Sequence, residues 1–301
     1  FTMDMKILSL LALFFTLALS ATASAKPKVA SVNSLLTDLA KQIGGDKIEV
    51  INLIGSKGDP HTFNPTTKDL QRAQGAKLYL ASGKNLEAYL PKLKALVGNS
   101  ATVLEVGKNI RSLRIKGGSK LYACCPNHST GVMDPHWWHS IEAWRKASTT
   151  LATEFSKIDP ANKAYYAERS KQYRAKLANL KAWSNVQLAT IPKERRKLAT
   201  SHAAFGYFCK EFGFQSIPLK GINSEHAVSP QYLNTAIGVL KEKKVRAIFP
   251  DESSNSKALK TISKNSGVPL ARKLYADSHT SIERMFIHNV TQITKALGVK
   301  K

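Results

Sequence analysis

From Asn162 to Ile191 the chain carries no proline and no glycine, and Pro160 and Pro192 stand at either side of this run. Within it Tyr166, Tyr173, Leu177, Leu180 and Val186 recur at helical spacing. One helix of that length spans roughly 40 Å at about 1.5 Å per residue, more than the ~30 Å diameter of a small domain. Such a helix cannot be buried in one small lobe. It is expected to run down two lobes as a spine, unless a break near Ser184 divides it into two shorter helices.

The flanks support two lobes. Before the run, short apolar or β-branched stretches (VASVN, IEVINLIG, KLYLAS, TVLEVG) alternate with the helix-period segments SLLTDLAKQIGG, PTTKDLQRAQ and NLEAYLPKLKALVG. After it KLATSH, FQSIPLKGI, AIFPD and PLARKLYAD read as strands, interleaved with AAFGYFCKEFG, SPQYLNTAIGVLKEKK, SKALKTISKNSG and SIERMFIHNVTQITKALG as helices. This alternation predicts an α/β fold of βα units with mostly parallel sheets. The expected organisation is a lobe over 26–160, a linking helix over 161–191 and a second lobe over 192–301.

Residues 1–25 are set apart. From Met5 one lysine precedes an apolar run from Ile7 to Leu19 and the small residues Ala23, Ser24 and Ala25. That is the pattern of a secretory signal peptide, too short for a spanning helix; Phe1 to Asp4 are expected to be upstream translation. The first cysteine is Cys124, so none stands at the expected cleavage point to take a lipid. The expectation is therefore a periplasmic protein without a lipid anchor, acting as a monomer.

Three cysteines, Cys124, Cys125 and Cys209, are too few for a disulfide scaffold. Cys209 lies in an amphipathic stretch and is expected in the core; one of the first two, with His128, is a candidate for a further metal contact. The net charge of +24 invites a nucleic-acid reading. The basic residues are spread through segments such as KERRK and KEKKVR without an aromatic-spaced stripe, however, and export argues against that partner as well. A solvated basic surface is expected instead.

Candidate functional residues come from an internal echo. Asp59-Pro60-His61 returns as Asp134-Pro135-His136. Proline fixes its own φ and holds the preceding residue extended, so each triplet aims its histidine stiffly. His202 follows KLAT and Ser201, and Asp277 follows KLYA, so all four stand where strands are expected to end. In open α/β sheets that is where ligands bind. His61 and His136 are 75 residues apart, as are His202 and Asp277, as if two similar lobes each offered a pair to one cleft. Singly each has a structural explanation: His202 as a helix N-terminal residue, Asp277 as a helix cap, His136 as a packing partner of Trp137 and Trp138. Together they point to a metal site.

The segments GDPHTFNPTTKDL, MDPHWWHS, IPKERRKLATSHAAFGYFCKEFGF and LYADSHTS, in this order, resemble the zinc and manganese solute-binding proteins of ABC uptake transporters. The resemblance spans nearly all of the chain after residue 25. It implies two βα lobes joined by a long helix, a metal held between them by His61, His136, His202 and Asp277, and a membrane permease as partner. Two departures stand out. Many zinc members carry a His- and acid-rich loop where this chain has KGGSKLYACCPNHSTGV, and manganese members often place a carboxylate where Leu219, Lys220 and Gly221 stand here. His139 occupies a usually apolar position and is read as a neighbour of the site.

Three imidazoles and one carboxylate fill a four-coordinate shell, whereas a catalytic zinc keeps a position open for water. No H-E-x-x-H occurs, and no glutamate near the four suggests itself as a base. The competing reading is a zinc-dependent hydrolase with Asp277 as base; an adhesin or metal buffer would use the same site. Nitrogen outnumbers oxygen among the expected ligands, which favours zinc over manganese. Asp251 and Glu252 are read as the start of a helix, and would reverse that preference if either reached the ion. Binding is expected to require deprotonated imidazoles and to draw the lobes together.

Overall fold

The fold comes from a computed structural model, which describes residues 25–56, 58–115, 131–220, 230–252 and 256–299. Residues 1–24 of the expected signal peptide, Cys124, Cys125, His128 and Gly221 lie outside the described residues. The first lobe is built from β1 (Lys28–Ser31), α1 (Ser34–Gly44), β2 (Glu49–Asn52), α2 (Thr67–Arg72), β3 (Ala76–Ala81), α3 (Leu90–Val97) and β4 (Thr102–Glu105). Its four strands are parallel in the order β2-β1-β3-β4. A short antiparallel pair, β5 (Leu113–Arg114) and β6 (Met133–Asp134), leads to α4 (Ile141–Ile158).

The spine is one helix, α5 (Lys163–Ala189), unbroken at Ser184, whose hydroxyl donates to the Leu180 carbonyl at 2.8 Å. Its buried stripe is Tyr166, Ser170, Tyr173, Leu177, Leu180, Ser184 and Leu188. Val186, expected on that stripe, is 66% exposed, and Leu188 takes its place one turn beyond Ser184. Helix α4 packs antiparallel to the spine, with Glu142 opposite Lys181, Ser148 opposite Ser170 and Phe155 opposite Tyr166. The two serine hydroxyls lie 2.8 Å apart, so small side chains let the backbones approach at mid-length.

The second lobe comprises β7 (Lys197–Thr200), α6 (Gly206–Phe212), β8 (Gln215–Pro218), α7 (Pro230–Glu242), β9 (Ile248–Phe249), α8 (Ser256–Ser266) and α9 (Ile282–Leu297). Its parallel strands run β8-β7-β9. In both lobes the first strand lies inside the sheet, so strand order reverses between β1 and β3 and again between β7 and β9. Such a reversal opens a crevice beyond the carboxyl ends of the strands.

Several elements differ from expectation. PLARKLYAD is not a continuous strand; it touches the sheet only through isolated bridges of Leu270 to Ile248 and Leu274 to Asp251. The helix expected from Asn85 begins at Leu90, after left-handed backbone at Lys84 and Asn85, and the one expected from Ala203 begins at Gly206. Helix α4 has no counterpart in the pattern expected from the sequence.

The largest apolar cluster joins Leu35, Leu36 and Leu39 of α1 to Trp137, Trp138 and Trp144, then to Tyr173 and Leu177 of the spine, and on to Phe205, Phe208, Met285 and Phe286 of the second lobe. The lobes therefore share a core. Each buried leucine contributes about 1.5–3 kcal/mol. Cys209 is buried in this cluster as expected, and burial pushes its thiol up to about 12.

Candidate metal centre

The repeated Asp-Pro-His has a local explanation. In each triplet the aspartate Oδ1 accepts the backbone N–H of the histidine two residues later, at 2.8 Å for Asp59 with His61 and 2.9 Å for Asp134 with His136. The side chain closes a turn around the proline, and the turn sets where the imidazole leaves the backbone. Asp134 Oδ1 also accepts from His136 Nδ1 at 2.8 Å. An ionised carboxylate has no proton to give, so Nδ1 carries the hydrogen and Nε2 faces the centre. The second lobe closes on this brace at Gly206, where a Cβ would lie 2.4 Å from Asp134 Oδ2.

The second pair is positioned from further away. His202 follows β7, and its Nδ1 donates to Asp251 Oδ2 at 2.6 Å; Asp251 stands just past β9. Asp251 also accepts from the Ser201 hydroxyl, while its own N–H donates to Ser201 Oγ at 3.0 Å. Asp277 sits on a loop whose backbone converges on Glu252: the N–H groups of Ala276, Asp277 and Ser278 donate to its carboxylate at 2.9–3.1 Å. Just ahead of Asp277, the Ala276 carbonyl accepts Trp138 Nε1 and His139 Nε2, both at 2.7 Å.

The structure brings all four expected residues together. Ligand atoms of His61, His136, His202 and Asp277 lie within 4.8 Å of one another. His61 Nε2 and His136 Nε2 approach to 3.0 Å; Asp277 Oδ1 is 3.5 Å and 3.6 Å from them, and its Oδ2 is 3.3 Å from His202 Nε2. His136, His202 and Asp277 are buried, and His61 is partly exposed. His202 Nε2 and Asp277 Oδ1 are buried without a hydrogen-bond partner. Lone pairs facing one another around one point, with Nδ1 of two rings already spent on carboxylates, require a cation or a proton between them. The donor set of three nitrogens and one oxygen fits a tetrahedral divalent ion.

The electrostatics describe what occupies that point when no ion does. Burial alone would raise the Asp277 carboxyl, but the charge and hydrogen bonds of His202 and His61 hold it well below the usual carboxylate range. Burial likewise disfavours the charged His202, and Asp277 and Asp251 outweigh it, so its pKa lies well above the usual imidazole value. For His136 burial wins over Asp134, and its pKa falls. A proton on His202 therefore stands in for the cation.

Neither Asp251 nor Glu252 begins a helix, and neither belongs to the four-residue cluster. Glu252 sits directly behind Asp277 with both oxygens engaged by backbone N–H groups, in a bracing position rather than that of a base. His139 is outside the cluster as well: it is buried against Phe205, with ring centroids 4.3 Å apart, and burial lowers its pKa to about 3. Beside Asp277 a cavity of about 560 Å³ is lined by Asp59, Glu252, Tyr275 and His279, among others.

Comparison with known proteins places the chain in a family. Residues 29–297 match the family described as ZnuA, zinc-uptake complex component A, periplasmic. The metal ABC transporter substrate-binding lipoprotein FimA of Streptococcus parasanguinis is 30% identical over 289 residues, covering 91% of this chain and 90% of that protein. The manganese ABC transporter substrate-binding lipoprotein PsaA of Streptococcus pneumoniae gives the same identity and coverage. The periplasmic zinc-binding protein TroA of Treponema pallidum shares the fold at a TM-score of 0.81 and 24% identity, covering 91% of this chain and 100% of that one. The chain belongs to the ZnuA family of metal ABC transporter substrate-binding proteins, extracytoplasmic carriers of a divalent metal that are not enzymes.

Proposed function

We propose that the chain captures one divalent ion through His61, His136, His202 and Asp277, prefers zinc, and delivers it to the membrane permease of an ABC importer. The observation that carries this reading is the meeting of four ligand atoms around one point, two of them, His202 Nε2 and Asp277 Oδ1, buried without a hydrogen-bond partner. Three nitrogens and one oxygen favour zinc, because affinity for nitrogen-rich sites rises from manganese toward copper, with zinc well above manganese. A manganese carrier is the second reading, favoured by the names of PsaA and of the manganese-binding lipoprotein MntA of Bacillus subtilis, which is 28% identical over 282 residues. Competition dialysis at equal free zinc and manganese decides between them; a preference for manganese overturns the choice of ion. Equal binding by His136→Ala, His202→Ala and wild type would overturn the site itself.

The organisation belongs to the same proposal: a signal peptide over 1–25, lobes over 26–160 and 192–301 and the linking helix over 161–191. So does release into the periplasm as an unanchored monomer. FimA, PsaA and MntA are named lipoproteins, and the intact mass of the exported chain, with or without a diacyl group, tests the point.

A further inference from the structure

We infer that Asp251 and Glu252 form a single positioning unit that builds the second lobe's half of the metal site, Asp251 by fixing the His202 ring and Glu252 by folding the Asp277 loop. The inference rests on the metal-site reading above and goes beyond it, since neither residue is among the ligands. The two are adjacent in sequence and follow Pro250 at the end of β9. Asp251 is anchored twice: its backbone bridges to Leu274, and its N–H and carboxylate both engage Ser201, the residue before His202. The Leu274 N–H donates to the Pro250 carbonyl at 2.8 Å, so the segment leading to Asp277 is laid against the one leading to Asp251. From that fixed point Asp251 Oδ2 takes His202 Nδ1–H, and Glu252 gathers the N–H groups of residues 276–278.

The chemistry of each contact is specific. A ring that donates Nδ1–H to a carboxylate is held in one tautomer and one orientation, with Nε2 left as the donor to a metal, and loss of such a brace typically costs about 10–100-fold in metal affinity. Three N–H groups on one carboxylate fix the backbone on both sides of the Cα that carries the fourth ligand. Ser201 and Asp251 thus occupy the crevice of the second sheet. The first lobe fills the corresponding place with Asn33 Nδ2 donating to Ser82 Oγ at 2.9 Å and Trp137 Nε1 donating to the Ser82 carbonyl at 3.0 Å, a purely structural packing.

The test is zinc and manganese titration of the full chain carrying Asp251→Ala, Asp251→Asn, Glu252→Gln or His202→Ala, with the cobalt(II) absorption spectrum of each as a report on ligand geometry. Expected are a loss of about 10–100-fold in zinc affinity for Asp251→Ala, with weaker and shifted cobalt bands. Asp251→Asn, which keeps an oxygen for Nδ1–H and the side-chain shape, should recover part of the affinity and most of the spectrum. Glu252→Gln keeps one acceptor oxygen and should weaken both metals together. If Asp251→Ala and Glu252→Gln bind zinc within threefold of wild type while His202→Ala has lost it, the positioning unit is overturned and the metal site stands. If His202→Ala also binds as wild type, the metal-site reading has failed, and this inference with it.

Discussion

The two halves of the metal site are held in opposite ways. In the first lobe each histidine is braced from within its own triplet, by the aspartate two residues earlier. In the second lobe His202 is braced by a residue 49 positions away and Asp277 by one 25 positions away. A local brace survives wherever the triplet is placed; a distant one exists only once β7, β9 and the 270–277 segment have packed. The first half-site is thus encoded locally, and the second is a product of tertiary structure.

The largest way to break this comparison is to remove a ligand. His136→Ala and His202→Ala should each weaken zinc binding by more than the ~100-fold at which brace losses level off, measured by calorimetry. Next comes the brace on each side. Asp134→Ala removes both the turn and the Nδ1 partner of His136 and should cost about 10–100-fold, comparable to Asp251→Ala. Asp59→Ala removes only the turn and should cost less than about tenfold. Equal losses for Asp59→Ala and Asp134→Ala would mean that the turn, not the ring contact, does the positioning.

The smallest effect sharpens the comparison through stability. Glu87 in the first lobe does for residues 82 and 83 what Glu252 does for 276–278, accepting their N–H groups at 2.6 Å and 3.0 Å, but at a loop remote in sequence from any ligand. Burial raises its pKa to about 7. Because the folded value exceeds the unfolded one, its contribution to stability is fully present below about pH 4.5 and is lost as the pH rises through about 7. Glu87→Gln should therefore flatten the pH dependence of metal-free thermal unfolding in that window, by on the order of 3 kcal/mol at most, and leave zinc affinity unchanged. Affinity that follows this substitution would show that the two loops are coupled.

Much of the molecule was legible because its signals are local. The absence of proline and glycine over 162–191 marks the spine, the repeated Asp-Pro-His marks His61 and His136, and the end of β7 marks His202, whereas Asp277 follows a segment that the structure does not make a strand. The hidden parts depend on partners distant in sequence. Asp251 and Glu252 look like a helix start because acidic residues favour that place, and only packing turns them toward His202 and Asp277. PLARKLYAD has the composition of a strand, yet its neighbour β9 is two residues long and offers little to pair with. The α4 helix begins at Ile141, one residue after the Trp-Trp-His segment, and its local start signal is a single cap, Ser140, whose hydroxyl accepts the Ala143 N–H at 3.1 Å. Val186 fits a helical period and still faces outward, since periodicity alone does not say where the stripe drifts on a 27-residue helix.

The Ala276 carbonyl has a consequence for populations. Trp138 and His139, just after His136, both donate to it, and it immediately precedes Asp277. Pulling the half-sites apart would break two buried hydrogen bonds, each worth about 0.5–1.5 kcal/mol net once water reaches the groups. At about 1.4 kcal/mol per factor of ten, that alone depletes the separated conformer by roughly 5-fold to 150-fold. Any parting of the lobes before or after ion binding works against that cost. A receiver that takes the ion by parting the lobes has to supply the free energy of separating Ala276 from its two donors.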